Sequence, residues 1–396
     1  MKILLVSFYY SPEVGAAPTR IANMAEGLKA QGADVDVLTC LPNYPKGKIF
    51  DGYKKKFSVV EKINGITTYR YWTYATVAKS ALKRGLSMIS FASTMWTFAF
   101  KRKTIRQYDC VIVQCPPLPV AVSTITLFKK LYGRKVYVNI SDLWPLSAVE
   151  LGAMKEGSKM HSLFLWMERY VYRNAYGIFG QSEEILDHIS SFPSPERKFL
   201  YRNVKPLSDE IKPHSKDGNI KIVYAGLLGV AQDILGIITN IDFRSKNIEF
   251  HLYGGGNQAE DIKNYIKSNP ECGIKYHGYV SKEELSEELK KYDASIVPLA
   301  VHIRGAVPSK IFDLLPVGLP ILFCGGGEGA HIVEQYKVGL TSAPGDYQTL
   351  ERNINALNEM SAEDYLLLSK NCIKCATEDF NLDTQLKNAY NFLLEK

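Results

Sequence analysis

Arg304 to Leu322 reads RGAVPSKIFDLLPVGLPIL, a short span holding a guanidinium, a hydroxyl, an ammonium and a carboxylate. Pro308 suits a first helical turn because its missing N–H has no intrahelical partner there. Ile311, Phe312, Leu314 and Leu315 supply a buried face, and Pro316 and Gly318 end the segment. A helix N-terminus presents free N–H groups and partial positive charge, so Ser309 and Lys310, with Arg304 just upstream, make a candidate anion site. Asp313, expected in the first turn, suits either ribose-type hydroxyls or the helix dipole. A capped surface helix with no ligand accounts for the same residues.

Other candidates sit where strands should run into helices. Gly15 in SPEVGAAPTR, and Gly226 and Gly229 in YAGLLG, would let backbone approach a ligand closely. The first loop has neither GxGxxG nor a Walker A pattern. GGGNQA at 254–259 has the right form after a strand, but the next strand ends in His277-Gly278-Tyr279, with no acidic residue for a ribose. Asp142, closing YVNIS, is a polar candidate that equally suits capping of the turn before Leu143-Trp144-Pro145. The seven histidines all follow residue 160 and do not cluster in sequence, and Cys372-x-x-Cys375 has no second pair, so no metal site is expected.

Elements must position these groups. A chain of 396 residues, 46% hydrophobic and 22% charged, suits two folded domains. Seven scattered cysteines do not form a disulfide framework and fit a reducing, cytoplasmic setting. MKILLVSFYY lacks a small-residue cleavage site and reads as a buried first strand. KILLVSFYY, a helix RIANMAEGLKAQG and DVDVLTC form a βαβ unit, continued by CVIVQC (110–115), KVYVNI (135–140) and YGIFGQS (176–182). After the polar stretch 205–219 the pattern restarts with IKIVYAGLLG, IEFHLYGGG, IKYHGYV and ASIVPLA. Two such sheets create a cleft with ligands at the carboxyl ends of strands.

Residues 62–108 hold nine Lys or Arg and no Asp or Glu. Within them GLSMISFASTMWTFAF, sixteen residues, falls short of a bilayer span, leaving an interfacial segment or a buried helix with a basic end. The net charge of +7 would also suit nucleic acid, but no nucleic-acid fold signature is present.

Over nearly its whole length the chain resembles the retaining nucleotide-sugar glycosyltransferases of family 4, with the GT-B fold. YYSPEVGAAPTRIANMAEGLKAQGADVDVLT is similar to the family's N-terminal loop and helix, and YAGLLGVAQDILGII to the opening of its donor domain. HLYGGGNQAEDIKNYI with IKYHGYVSKEELSEELKKYDASIVPL is similar to the middle of that domain, and VPSKIFDLLPVGLPIL to the donor-site helix. LPNYPKGKIFDGY and DLWPLSAVELG resemble the branch that includes bacterial L-fucosamine (N-acetylfucosamine) transferases of surface-polysaccharide assembly.

The resemblance implies an α/β chain of two Rossmann-like doubly wound domains facing a cleft: an acceptor domain, 1–205, and a donor domain, 206–375, with a helix at 376–396 crossing back to the first. It implies transfer of an amino or deoxy sugar from a nucleotide-sugar, UDP-linked, to a polyprenyl-diphosphate-linked saccharide of capsule or O-antigen. By the same resemblance Lys310 and Arg304 meet the diphosphate, Asp313 the ribose, and backbone at Gly278, Tyr279 and Val280 the base. Gly15 approaches the diphosphate, and Asp142 lies on the acceptor side. The first acid of the family's usual pair falls on Gly305, and its N-terminal histidine is missing; Gln114-Cys115-Pro116-Pro117 stands at the matching strand end. No metal or other cofactor is expected. Segment 62–108 would be the place where a polyprenyl diphosphate and an anionic membrane surface dock, giving a cytoplasmic protein peripheral to the inner face of the membrane. A non-catalytic scaffold of the same fold and a sugar-nucleotide 2-epimerase are the alternatives.

Overall fold

Strand-forming runs of Val, Ile, Leu and aromatic residues alternate with helices and build two separate sheets. They are seen in a computed structural model that describes residues 1–77, 80–207, 212–216, 218, 220–246 and 248–395. Lys79, and residues 208–211, 217 and 219 of the expected linker, lie outside the described residues.

The first sheet contains β1 (Lys2–Val6), β2 (Asp34–Cys40), β3 (Ser58–Ile63), β4 (Ile66–Tyr71), β5 (Cys110–Cys115), β6 (Lys135–Ile140), β7 (Gly177–Gly180) and β8 (Lys198–Leu200). Their order is β3-β4-β2-β1-β5-β6-β7-β8, parallel throughout except for β3 against β4. The second sheet contains β9 (Lys221–Ala225), β10 (Glu249–Tyr253), β11 (Ile274–Gly278), β12 (Ala294–Pro298), β13 (Ile321–Cys324) and β14 (Gly339–Ser342), all parallel in the order β11-β10-β9-β12-β13-β14. The short apolar opening is therefore a central strand, with Ile3 and Leu4 fully buried.

The chain divides into two compact units: Met1–Arg202 with Asp383–Lys396, and Asn203–Leu382. The Leu382–Leu394 helix packs Leu386 against Gly27, where a Cβ would collide with it. Gln385 exchanges hydrogen bonds of 2.8 and 3.0 Å with the Arg202 backbone, and Arg197 donates to the Phe392 carbonyl at 2.6 Å. Phe392 also closes an aromatic cluster with Tyr137, Phe179 and Phe199.

The basic, acid-free segment begins as a hairpin strand, not as surface helix. Asn64 and Gly65, at φ 49° and 71°, form the two-residue turn that joins β3 to β4. Arg70, on β4, is fully buried: it pairs with Glu61 at 2.5 Å and donates to the carbonyls of Cys40 and Ser11. It contributes nothing to a basic surface. The apolar run folds as a helix, Ala81–Thr94, and a 3-10 turn, Met95–Phe100. Phe91, Ala92, Met95 and Phe98 enter the core, whereas Leu82, Leu86, Ile89, Trp96 and Phe100 are exposed, Phe100 by 86%. Among the described residues no helix is long and apolar enough to cross a membrane.

Candidate functional site

In the second unit the strand ends are stitched together by backbone. Gly226 donates to the Tyr253 carbonyl at 2.9 Å, Leu228 to Gly255 at 3.0 Å, and Gly254 to Gly278 at 2.7 Å. A Cβ on Gly254 would collide with the Gly226 carbonyl, and one on Gly256 with that of Leu228. The glycines of GGGNQA therefore let two strand-end loops touch. At Gly226, with φ 153°, a Cβ would also collide with Lys310 Nζ, so its bareness makes room for that ammonium. Gly229 accepts backbone bonds from Gln232 and Asp233 and closes the same loop.

Lys310 lies on a short helix, Ser309–Leu314, that runs through a 3-10 turn into Gly318 at φ 73°. Pro308 precedes this helix with ψ 122° instead of occupying its first turn, because its backbone is still extended there. Asp313 consequently falls in the second turn, not the first as the sequence suggested. Lys310 Nζ donates to Tyr224 Oη at 2.9 Å and lies 4.1 Å from that ring, while Tyr224 Oη donates to the Leu227 carbonyl at 2.6 Å. Burial lowers the Lys310 pKa to about 8, with Asp313 opposing the shift. The ammonium thus sits beneath the glycine loop, short of water and with no ion pair to a carboxylate among the described residues.

A cavity of about 310 Å³ gathers Lys310 and Asp313 with Lys205, Ala225, Ser286 and Ser295. Asp313 pairs with Lys205 at 3.6 Å, a partner the sequence reading missed. Arg304 is exposed on a turn with Gly305, and neither lines this cavity. Gly278, at φ 77°, ends β11; Tyr279 beyond it is 85% exposed, and Val280 is half-buried. The structure therefore joins Lys310, Asp313 and Gly226 closely, sets Ser309 at the start of the Lys310 helix and Gly278 at the end of β11, and places Gly229, Tyr279, Val280 and Arg304 on loops.

In the first unit the carboxyl ends of β1, β5 and β6 open onto a cavity of about 450 Å³. Ser7, Asn43, Tyr44, Gln114, Ser141 and Asp142 line it, with Arg20 and Arg84. Asp142 is exposed and, among the described residues, accepts only from Ser141 Oγ, at 3.1 Å, so it does not cap the turn after it. Gly15 precedes the Ala16–Ala30 helix at φ 154°, and a Cβ there would come 2.9 Å from the Tyr44 ring. Glu13, 4% exposed, holds this wall: its carboxylate accepts from the backbone N–H of Tyr10, Asn43 and Tyr44 at 3.1, 2.8 and 2.8 Å. Nothing in the local sequence marks Glu13, since two of its three partners come from a loop thirty positions on.

The histidines, unclustered in sequence, do meet in one place. His251 Nδ1 lies 2.9 Å from His277 Nε2, the two rings stack, and the Tyr253 ring also stacks on His277. Neighbouring parallel strands bring together residues that are far apart along the chain. No group of three or more His, Cys, Asp or Glu is placed to hold a metal ion among the described residues. Cys372 and Cys375 are buried free thiols.

Residues 15–201 match the family model for a glycosyl transferase 4-like domain, and residues 220–359 that for glycosyl transferases group 1. The colanic acid biosynthesis glycosyl transferase WcaI of Escherichia coli (strain K12) is 25% identical over 338 residues, covering 80% of this chain and 82% of that one. Among solved structures, the fold is similar to sucrose-phosphate synthase from Thermosynechococcus elongatus, with a TM-score of 0.72 at 15% identity and 99% of both chains covered. It is also similar to Anabaena HepE in complex with UDP, with a TM-score of 0.71 at 13% identity over the full length of both. The chain is a glycosyltransferase of the GT-B fold, with a glycosyl transferase 4-like first domain and a group 1 second domain.

Proposed function

We propose that the chain moves a sugar from a UDP-linked donor, held by the second unit, to a lipid-linked saccharide held by the first, in surface-polysaccharide assembly. The observation that carries this reading is the Lys310 ammonium, desolvated beneath the bare Gly226 loop and shifted toward neutrality. A cation held that way gains most from a growing negative charge, which is what a departing diphosphate supplies. The bond from the anomeric carbon to the diphosphate oxygen breaks, a bond to an acceptor hydroxyl oxygen forms, and the hydroxyl proton leaves with the released phosphate. That route keeps the anomeric configuration and asks no base of Asp142, which then hydrogen-bonds the acceptor. Lys310, with Arg304 and loop N–H groups, supplies the charge compensation, and no metal is invoked.

The choice of UDP is supported by HepE having been solved with it, and polysaccharide assembly by the name of WcaI. The N-acetyl-L-fucosamine assignment rests on the sequence resemblance alone. A lipid-borne acceptor and a position on the inner face of the membrane are supported by the exposed stripe Leu82, Leu86, Ile89, Trp96 and Phe100. These residues recur at helical spacing beside Lys83, Arg84, Lys101, Arg102 and Lys103, as an anionic interface would require.

The test is mass-spectrometric detection of sugar transfer to a polyprenyl-diphosphate N-acetylhexosamine from a panel of UDP- and GDP-sugars. Transfer from one donor, abolished in Lys310→Ala, supports the reading. UDP binding with no transfer from any donor would favour a scaffold.

A further inference from the structure

Two guanidinium groups on the first unit's cavity have no carboxylate to answer them. Arg20, on the Ala16–Ala30 helix, gives one hydrogen bond to Gln181 Oε1 at 2.5 Å, and its Nε is buried without a partner. Arg84, on the Ala81–Thr94 helix, makes no side-chain hydrogen bond or ion pair with the described residues. Asp142 is near enough to Arg20 to feel its charge, yet no ion pair forms between them. A buried, unpaired guanidinium is expensive, and an open cavity at its side is where a counter-charge can enter. Arginine offers the paired N–H geometry that phosphate oxygens accept.

We propose that Arg20 and Arg84 form the phosphate-binding subsite for the acceptor, taking the diphosphate that links saccharide to lipid. This deepens the reading of the first unit as the acceptor domain, and rests on it. The cavity has two chemical ends. Asn43, Gln114, Ser141 and Asp142, at or near the strand ends, present donors and acceptors suited to sugar hydroxyls. Arg84 belongs to the helix whose other residues Leu82, Leu86 and Ile89 form the exposed apolar stripe. One helix therefore offers a cation to the cavity and hydrocarbon to the lipid side, the order in which a polyprenyl-diphosphate saccharide presents its parts. Among the residues lining the cavity two cations face the one carboxylate of Asp142, while the Glu13 carboxylate behind the wall is taken up by three backbone N–H groups.

The same phosphate chemistry is present in the nucleotide donor, so the experiment separates the two sources. Farnesyl diphosphate, farnesol and UDP are titrated calorimetrically into the full-length protein and into Arg20→Gln, Arg84→Gln and Lys310→Ala. The expected result is that farnesyl diphosphate binds and farnesol does not. Each arginine variant should weaken farnesyl diphosphate about tenfold and leave UDP within twofold, while Lys310→Ala does the reverse. Farnesyl diphosphate binding that is absent, or unchanged in both arginine variants, overturns the subsite. Loss of UDP binding in the arginine variants, with farnesyl diphosphate unaffected, assigns them to the donor and also overturns it. Because these are binding measurements, a failure of sugar transfer would count against the transferase reading without touching this one. Arg84 is exposed, so its variant keeps the test decisive even if Arg20→Gln lowers thermal stability.

Discussion

Lys310 should take up a proton when a nucleoside diphosphate binds. Its pKa falls from 10.5 to about 8 because burial disfavours the ammonium more than Asp313 helps it. Keeping the charge in the free protein therefore costs about 3 kcal/mol. A diphosphate beside the Nζ removes that penalty and returns the group toward its ordinary value. At pH 7 the free protein is already protonated, and little change accompanies binding. As pH rises through 8 the free form loses its proton while the complex retains it. UDP affinity should then fall about twenty- to thirtyfold between pH 7 and 9.5, with about 0.8 proton absorbed per UDP near pH 8.5. Isothermal titration in two buffers of different ionisation enthalpy counts that proton directly. Lys310→Met should bind UDP weakly at every pH and absorb none. Equal heats in both buffers at pH 8.5, with wild-type affinity flat to pH 9.5, would refute the reasoning.

Gly226→Ala puts a methyl group onto Lys310 Nζ at a backbone angle side chains avoid, so UDP affinity should drop at least tenfold and stability by about 1–3 kcal/mol, read by titration and by denaturant melts. Replacing Leu86, Ile89 and Phe100 together by serine removes exposed apolar surface only. At about 1 kcal/mol for each partly inserted side chain, binding to anionic vesicles should weaken roughly a hundredfold in co-sedimentation, with UDP affinity unchanged. Burial holds the pKa values of both His251 and His277 below the ordinary histidine value, so below pH 6.5 the unfolded chain binds more protons than the folded one. Stability should therefore decline as pH falls from 7 to 5, and His277→Asn should flatten that decline in paired thermal melts.

The parallel strands were legible because both faces are covered and each reads as a continuous apolar run: CVIVQC and KVYVNI coincide with β5 and β6. β3 and β4 were not, since SVVEKI and ITTYRY carry charged residues among the apolar ones, and a local count of basic residues cannot tell surface from interior. Arg70 shows why: its burial depends on Glu61 across the hairpin and on carbonyls from two other segments. The candidate site divides the same way. Lys310 and Gly226 announce themselves by residue type next to strand ends. Tyr224, Lys205, Glu13, Arg20 and Arg84 acquire their roles only when distant segments meet, and no periodicity encodes that.

Gly305, where the family resemblance would place an acid, carries the remaining step. Its φ is 80°, it is buried, and the turn around it is closed by Ala306 donating to the Ile303 carbonyl at 3.0 Å. A glutamate in that conformation would carry backbone strain of about 1–2 kcal/mol and would need room in a packed turn. A glutamate at this position is therefore disfavoured by the backbone itself. On the proposed donor reading, what this turn would offer a hexose is peptide N–H. Asp313, meanwhile, shares its charge with Lys205 instead of standing alone as the second acid of a pair. On the proposed donor reading, binding strength leans on Lys310 and on dipoles of the glycine loops, and sugar selectivity is proposed to follow from loop backbone geometry more than from carboxylate contacts.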